Sequence, residues 1–383
     1  MILGIDVSNL RGGGGVTHIT GLLKTADPPS HGFSKVVLWG GHEIMGHLPD
    51  HDWLEKAPQE LLNRSLPYRI FWQRYRLSEL AQEAGCHLLF VPGGSYIGDF
   101  SPVTTMCRNM LPFEPCELRR YGWSFTRLRL ELLRLTQTQT FRKAAGVIFL
   151  SQYARNSVFP KIGTAAGESI IIPHGVDRQF CSSPRKQLPI ACYSSDRPFN
   201  VIYVSIIDMY KHQWAVAEAV GQLRKKGIPV ALTLVGVAYH RALARLKKTI
   251  AQIDPSGAFV RYLGHAPYSE LAALYRQAEL GVFASSCENM PNILLESMAA
   301  GLPIACSDRG PMPEVLGAEG IYFDPEDPID IAHSLHKMID SPDLRTKAAQ
   351  HSFQRAQAYS WQRCANETFG FLARIATDQR GQA

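Results

Sequence analysis

At 383 residues the chain exceeds one ordinary domain and suits two. Its 45% hydrophobic and 19% charged content excludes a disordered protein, and no apolar run approaches the roughly 18–20 residues that span a bilayer. The net charge of +6 lies wholly in residues 1–187, which hold 21 Lys and Arg against 15 Asp and Glu, and no nucleic-acid-binding motif accompanies it.

The opening Met1-Ile2-Leu3-Gly4-Ile5-Asp6 lacks a basic leader and a small-residue cleavage site. It reads as a first β-strand rather than a signal peptide, which implies a cytoplasmic protein. The eight cysteines form no C-x-x-C pair and match no zinc spacing, so reduced, mostly buried thiols are expected. After the first strand comes Arg11-Gly12-Gly13-Gly14-Gly15-Val16-Thr17-His18, ahead of a helical stretch. Glycines let a backbone approach a ligand closely, and a helix N-terminus favours anions. Thr17 and His18 occupy the third-glycine positions of G-x-G-x-x-G in either register, which disfavours a nicotinamide-dependent oxidoreductase. A plain strand-to-helix turn accounts for one or two of these glycines, not for four.

Further strands are expected at Lys35–Trp39, His87–Val91, Gly146–Leu150 and Ser169–Ile172. Asp50-His51-Asp52, the one D-x-D triplet that hints at a metal, reads as a polar surface loop. Positive charge peaks between Arg119 and Lys143, with Arg120, Arg127, Arg129, Arg134 and Arg142 between them. Around Trp123–Leu135 the arginines alternate with Phe125, Leu128, Leu130, Leu132 and Leu133. Core packing of one helix face explains that pattern; contact with an anionic membrane is the competing reading. A polar, proline-containing stretch from Asp177 to Pro198 marks the boundary between residues 1–187 and 188–359.

In the second half strands are expected at Asn200–Ser205, Ala231–Val235, Val260–Leu263, Leu280–Phe283, Ile304–Cys306 and Gly320–Phe323, with helices at Gln213–Lys226, His240–Ile253, Ser269–Arg276 and Asn292–Ala300. Strands alternating with helices in both halves give an α/β fold of two Rossmann-like domains, with a ligand between them at the C-terminal ends of the strands. A last helix runs over Trp361–Ala376. The most informative segment is Ser285 to Pro303, where Pro291 suits a first helical turn and Gly301 a C-terminal stop. The amides of Asn292, Ile293 and Leu294 would meet an anion there. Glu288 stands ahead of that helix and Glu296 eight positions on. Two acids flanking a phosphate site make sense when each accepts hydrogen bonds from hydroxyls; a helix-start acid and a solvated surface acid are the plain alternative.

The segment from Glu288 to Glu296 resembles the E-x7-E signature of the retaining, family-4 glycosyltransferases of the GT-B fold (glycosyl transferases group 1). Ile171-Ile172-Pro173-His174-Gly175-Val176-Asp177, Gly264 with the Leu271-to-Tyr275 helix, and Ser360-Trp361 are similar to further motifs of that family, in the same order. The resemblance implies two Rossmann-like domains facing across a cleft, with residues 360–383 crossing back onto the first. It also implies a nucleotide-sugar as co-substrate without a bound cofactor, retention of configuration, no essential divalent metal, and cell-envelope or exported polysaccharide synthesis such as lipopolysaccharide. The acceptor would be a glycan or lipid-linked molecule, reached by a cytoplasmic enzyme peripheral to the inner face of the membrane, with no nucleic-acid partner.

By the same resemblance Glu288 contacts the donor sugar, Glu296 the ribose, and Lys211 the donor phosphate, while Gly13, Gly14 and Gly15 close over the diphosphate. Ile206 stands where many members carry arginine, and Arg309 is a candidate replacement. Cys107-Arg108-Asn109 falls where many relatives have a histidine, so no catalytic histidine is carried over, and Asn109 is left as a candidate sugar contact. His18, His174 and His212 are the histidines nearest these motifs, with structural roles as the simpler expectation. A non-catalytic nucleotide-sugar-binding protein or an epimerase on the same fold remains the alternative.

Overall fold

The computed structural model describes residues 1–163 and 167–378. Residues 379–383, the end of the expected terminal segment 360–383, lie outside the described residues. The chain divides into two compact units.

The first unit comprises Met1–Pro115, Trp123–Gly175 and Ser360–Ala383. Its sheet holds β1 (Ile2–Asp6), β2 (Lys35–Gly40), β3 (Leu54–Pro58), β4 (Leu88–Val91), β5 (Val103–Met106), β6 (Gly146–Phe149) and β7 (Glu168–Ile171). They run parallel in the order β3-β2-β1-β4-β5-β6-β7. Central strands such as Leu88–Val91 are buried along their whole length, as parallel strands covered on both faces must be. Two strands escape the sequence pattern. β3 reads Leu-Glu-Lys-Ala-Pro and lies at the sheet edge, where one neighbour suffices and charge is tolerated. β5 carries Thr104 and Thr105, both fully buried, and the Thr105 hydroxyl donates to the Val91 carbonyl at 2.9 Å.

The terminal helix Trp361–Asp378 belongs to this first unit. Its buried side chains include Trp361, Ala365, Thr368, Phe369, Leu372 and Ile375, spaced as one helical face requires. It packs on the helix Gly14–Thr25. A Cβ placed on Gly21 would stand 2.5 Å from the Trp361 ring, so only glycine admits that approach. Beneath lie His18 and His174, stacked with ring centroids 4.6 Å apart. Both are buried, which fits the structural role expected of them.

The second unit comprises Cys116–Gly122 and Val176–Tyr359. Its six parallel strands are β8 (Phe199–Val204), β9 (Val230–Val235), β10 (Val260–Tyr262), β11 (Leu280–Phe283), β12 (Ile304–Ser307) and β13 (Ile321–Phe323), in the order β10-β9-β8-β11-β12-β13. This is the doubly wound order in which the chain works outward from the centre, first to one edge and then to the other. All six expected strands are present within a residue or two.

The stretch Asp177–Pro198 is not a free linker. The chain passes to the second unit between Gly175 and Val176, ahead of the 187/188 boundary, because the following residues are bonded onto that unit. The Ser182 amide donates to Ala299, and Arg185 donates to the carbonyls of Arg276 (2.6 Å) and Ala278. Arg345, fully buried, reaches Gln187 at 3.1 Å while its Nη1 donates to Met338 and Ile339 at 2.6 Å. Carbonyl dipoles, not a carboxylate, satisfy that guanidinium. Among the described residues no cysteine is in a disulfide; Cys107, Cys287, Cys306 and Cys364 are buried, but Cys116, Cys181 and Cys192 are exposed, two of them in the stretch the sequence assigns to a linker. Among the described residues no helix is long and apolar enough to cross a membrane.

Candidate active site

In the second unit β8 and β11 are neighbours, paired through Leu280 with Val201 and Gly281 with Ile202. The chain leaves β8 toward β9 on one side and β11 toward β12 on the other. The loops beyond their C-terminal ends therefore diverge, and such a switch point is where open α/β sheets bind ligands. The loop after β8 carries Lys211, and the loop after β11 carries Glu288.

These two loops are stitched together. The Ser286 amide donates to the Tyr210 carbonyl at 2.8 Å, and His212 Nε2 meets the Ser286 hydroxyl at 2.9 Å. Tyr203 donates from its hydroxyl to the Lys211 carbonyl at 2.8 Å. His212 adopts φ +49°, a left-handed conformation unusual for a side-chain-bearing residue, just ahead of the helix Gln213–Lys225. Burial, aided by Arg120, pushes its imidazole down to about 4, so it is neutral near pH 7. This histidine positions the loop.

Held in this way, Lys211 forms an ion pair with Glu288. Their side chains are only 7% and 14% exposed, so the pair sits in a poorly solvated niche. The ammonium also stands 5.0 Å from the Tyr210 ring centroid and 5.2 Å from that of Phe283. Residues 77 apart in sequence thus meet at one point. Lysine has three donors and no acceptor, so this arrangement can exchange or share its carboxylate for a bound anion.

Glu296, in the helix Asn292–Ala299, is not a solvated surface acid: it is 4% exposed. The Tyr275 hydroxyl donates to its Oε2 at 3.5 Å, and Tyr268 is a second hydrogen-bond partner. Burial raises its pKa to about 8. Asn292 and Ile293 are half-buried in the first turn. Leu294 leaves the expected set of ligand-binding amides. Its N–H already donates to the Pro291 carbonyl at 3.0 Å, closing the tight first turn, and its side chain is fully buried.

Arg309 donates to Asp308 at 3.0 Å and to Asp324 at 2.8 Å. Two carboxylates already balance its charge. Ile206 is exposed. Asn109 caps its own turn, accepting the Leu111 amide at 3.1 Å. Asp50 pairs with Lys56 at 2.6 Å, so that side of the D-x-D triplet is an ordinary surface ion pair.

Sequence reasoning missed the segment Cys116–Gly122, which belongs to the second unit although it lies in the first half of the chain. Tyr121 donates to Asp208 at 2.9 Å, in the Lys211 loop. Arg120 pairs with Glu326 at 2.6 Å and with Glu117 at 2.7 Å. Arg120 is therefore neutralised, not part of a free basic face. No spacing rule in the sequence links residues so far apart.

In the first unit Gly13 adopts φ +60°, ψ −152°, a conformation reserved in practice for glycine, and caps the helix Gly14–Thr25. Gly12, Gly13 and Gly14 are exposed and Gly15 half-buried. The turn holds neither a capping side chain nor an acid in its first helical residues.

The expected core packing of Trp123–Leu135 is overturned. Trp123 is 97% and Phe125 80% exposed, and Leu128, Leu132 and Leu135 are exposed with them along the helix Phe125–Lys143. The helix buries Leu130, Gln137, Thr140 and Phe141 instead. Its apolar content is spread over two faces, and only one packs inward, where the helix meets the turn Leu111–Phe113 and the helix Gln152–Ile162.

Residues 193–355 match the family model described as glycosyl transferases group 1. The O-antigen chain mannosyltransferase B of Escherichia coli is 32% identical over 110 residues, which span 29% of this chain and 29% of that relative's length. Over the whole chain the fold is similar to sucrose-phosphate synthase from Thermosynechococcus elongatus, with TM-score 0.70, 18% identity, and coverage of 99% of this chain and 100% of the other. It is equally similar to the Anabaena HepE protein solved with UDP and glucose, with TM-score 0.69, 18% identity, and coverage of 98% and 100%.

Proposed function

We propose, from the premise that this chain is a GT-B-fold glycosyltransferase of the glycosyl transferases group 1 family, that it moves a hexose-type sugar from a nucleotide-sugar donor to a glycan or lipid-linked acceptor with retention of configuration. The observation that carries the reading is the meeting of Lys211 and Glu288 at the switch point of the second sheet, inside the family match. On donor binding Lys211 turns to the diphosphate and Glu288 to sugar hydroxyls. The amides of Asn292 and Ile293 add dipoles toward the phosphate, and Glu296 takes the ribose hydroxyls. A phosphate-contacting role is proposed for Gly13, Gly14 and Gly15 as well, on their largely exposed, side-chain-free turn.

In the transfer step the bond from the sugar C1 to the phosphate oxygen breaks, and a bond to the acceptor oxygen forms on the same face. The acceptor proton passes to the departing phosphate oxygen. Charge grows on the nucleoside diphosphate as it leaves, and a fixed ammonium in a poorly solvated niche stabilises that charge more than it stabilises the intact donor. Cell-envelope or exported polysaccharide synthesis fits the O-antigen relative.

A thermal-shift screen of the full chain against UDP-, GDP- and ADP-sugars tests the donor assignment. One nucleotide class is expected to raise the melting temperature well above the others. No shift with any of the three, together with no transfer of labelled sugar to an added membrane extract, would remove the reading.

A lipid-linked acceptor requires access to a membrane, and the first unit exposes a face suited to it. Phe125, Leu128, Leu132 and Leu135 are exposed on one helix, and Trp123 is exposed just ahead of its N-cap Ser124. Tyr68, Phe71 and Tyr75 are exposed on the helix Leu66–Tyr75, where Tyr68 and Phe71 line an apolar hollow of about 390 Å³. Ser95 ties the two helices, accepting from Gln73 at 3.1 Å and meeting the Thr136 hydroxyl at 3.4 Å. Arg127 over Trp123 and Arg64 over Tyr68 add charge suited to anionic headgroups. Cosedimentation with vesicles of phosphatidylcholine containing phosphatidylglycerol is expected, and the double change Trp123→Ser, Phe125→Ser should reduce it several-fold. Sedimentation insensitive to the anionic lipid would refute the contact.

A further inference from the structure

Lys211 has a second carboxylate close by. Glu288 pairs with it from the β11 loop, and Asp208 stands three positions earlier in the loop of Lys211 itself. The turn between them is tight, because the Lys211 amide donates to the Asp208 carbonyl at 3.0 Å. Burial raises the pKa of Asp208, while its hydrogen bonds and the charge of Lys211 pull the other way. Among the described residues no ion pair joins the two side chains, since Oδ1 of Asp208 is committed elsewhere. It accepts the Met209 amide at 2.7 Å and the Tyr121 hydroxyl at 2.9 Å.

Tyr121 is held firmly for this contact. It is 3% exposed, its ring lies 5.8 Å from that of Tyr239, and its carbonyl accepts from Arg241 at 3.4 Å. Tyr239 is in turn tied to the same loop, its amide donating to the Ile207 carbonyl at 2.8 Å. Burial and the Asp208 carboxylate both raise the pKa of the Tyr121 phenol, so it keeps its proton and remains the donor. A phenol has one proton to give, and here Asp208 receives it. A half-buried carboxylate that lost this donor would need another. The Lys211 ammonium, with three donors and a full charge in a poorly solvated niche, is the strongest candidate nearby.

We propose that Tyr121 is a positioning residue for the donor-phosphate lysine: by holding Asp208 it keeps a second carboxylate off the Lys211 ammonium, which leaves Glu288 as the partner that a bound diphosphate displaces. With two carboxylates on it the ammonium would be outweighed, and an arriving diphosphate would meet net negative charge. The inference rests on the donor reading for the role of Lys211. It gives the segment Cys116–Gly122 a task in the reaction, although that segment lies 87 positions before Asp208 in the chain and touches no reacting atom.

The test is calorimetric titration of the full chain with inorganic pyrophosphate, which reads Lys211 without any sugar or acceptor. Tyr121→Phe keeps the ring on Tyr239 and removes only the hydroxyl. It is expected to weaken pyrophosphate binding about three- to tenfold. Adding Asp208→Asn should restore the affinity, because the amide still accepts from Met209 but carries no charge for the ammonium to pair with. A loss caused by slackened packing would not be restored by that second change. In the transfer assay the same two steps should lower and then recover kcat. In the background Lys211→Met, Glu288→Gln, Tyr121→Phe should leave pyrophosphate binding unaltered. Undiminished affinity in Tyr121→Phe, or a loss that Asp208→Asn leaves in place, overturns the inference while the Lys211 assignment stands. Equal pyrophosphate binding by the parent and by Lys211→Met, Glu288→Gln removes Lys211 from phosphate binding, and the inference falls with it.

Discussion

Lys211→Ala should slow sugar transfer by about 10²–10³-fold, the range found when one preorganised donor to developing charge is removed, while Arg309→Ala stays within about threefold of the parent. The difference follows from their surroundings. Lys211 is enclosed and fixed by the stitched loops, whereas Arg309 is half-exposed and already balanced by Asp308 and Asp324. Lys211→Ala also strands Glu288 as a nearly buried carboxylate, a loss on the order of 3 kcal/mol. Stability and catalysis must therefore be separated. The double change Lys211→Met, Glu288→Gln restores a matched neutral pair and should recover most of the melting temperature without recovering transfer. Glu288→Ala is expected to abolish transfer while donor binding persists, the outcome that distinguishes an enzyme from a sugar-nucleotide binding protein. Near-parental rates for both Lys211→Ala and Arg309→Ala would sink the phosphate assignment.

Donor affinity should rise with pH between about 6 and 8 and level off above, by at most about tenfold per unit. The free protein holds the Glu296 proton up to about 8, because the carboxyl is buried beside Tyr275 and Tyr268. Ribose hydroxyls donate best to the ionised form, so the bound state favours losing that proton. A nucleotide-sugar diphosphate stays ionised across this window and adds no slope. Stability without ligand moves the other way. Between the ordinary carboxylate range and about 8 the folded protein keeps a proton that the unfolded chain has released, so folding stability falls as pH rises through that window and is flat beyond it. Glu296→Gln should flatten both profiles, read by titration with the donor and by urea midpoints. A pH-independent donor affinity in the parent protein would discard the ribose role.

The parts of this molecule that the sequence discloses are those encoded locally. The helix Asn292–Ala299 was legible because Pro291 and Gly301 bracket an apolar run, and the second sheet because its strands are rich in apolar or β-branched residues, interrupted by Asn200 in β8, Arg261 in β10 and Ser307 at the end of β12. β3 and β5 were not legible, since an edge strand tolerates Glu55 and Lys56 and a buried strand can hide threonines behind a hydroxyl bond to Val91. In the site, Lys211 and Glu288 each carried a signal, but not their pairing, which depends on β8 and β11 lying side by side. Leu294 was misassigned because a tight first turn consumes an amide that an ideal helix would leave open. The burial of Glu296 and the docking of Tyr121 on Asp208 come from tertiary packing alone, where residue type and spacing are silent.

The return of Trp361–Asp378 to the first unit inverts the order in which the protein can be finished. During synthesis the amino-terminal sheet emerges from the ribosome long before the helix that covers His18 and His174, so that face stays uncovered while Val176–Tyr359 is made. The half that is born first is completed last. Damage at the carboxyl end, whether by early termination, proteolysis or a bulky fusion, will thus be felt at the opposite end of the sequence, under the glycine turn that follows β1.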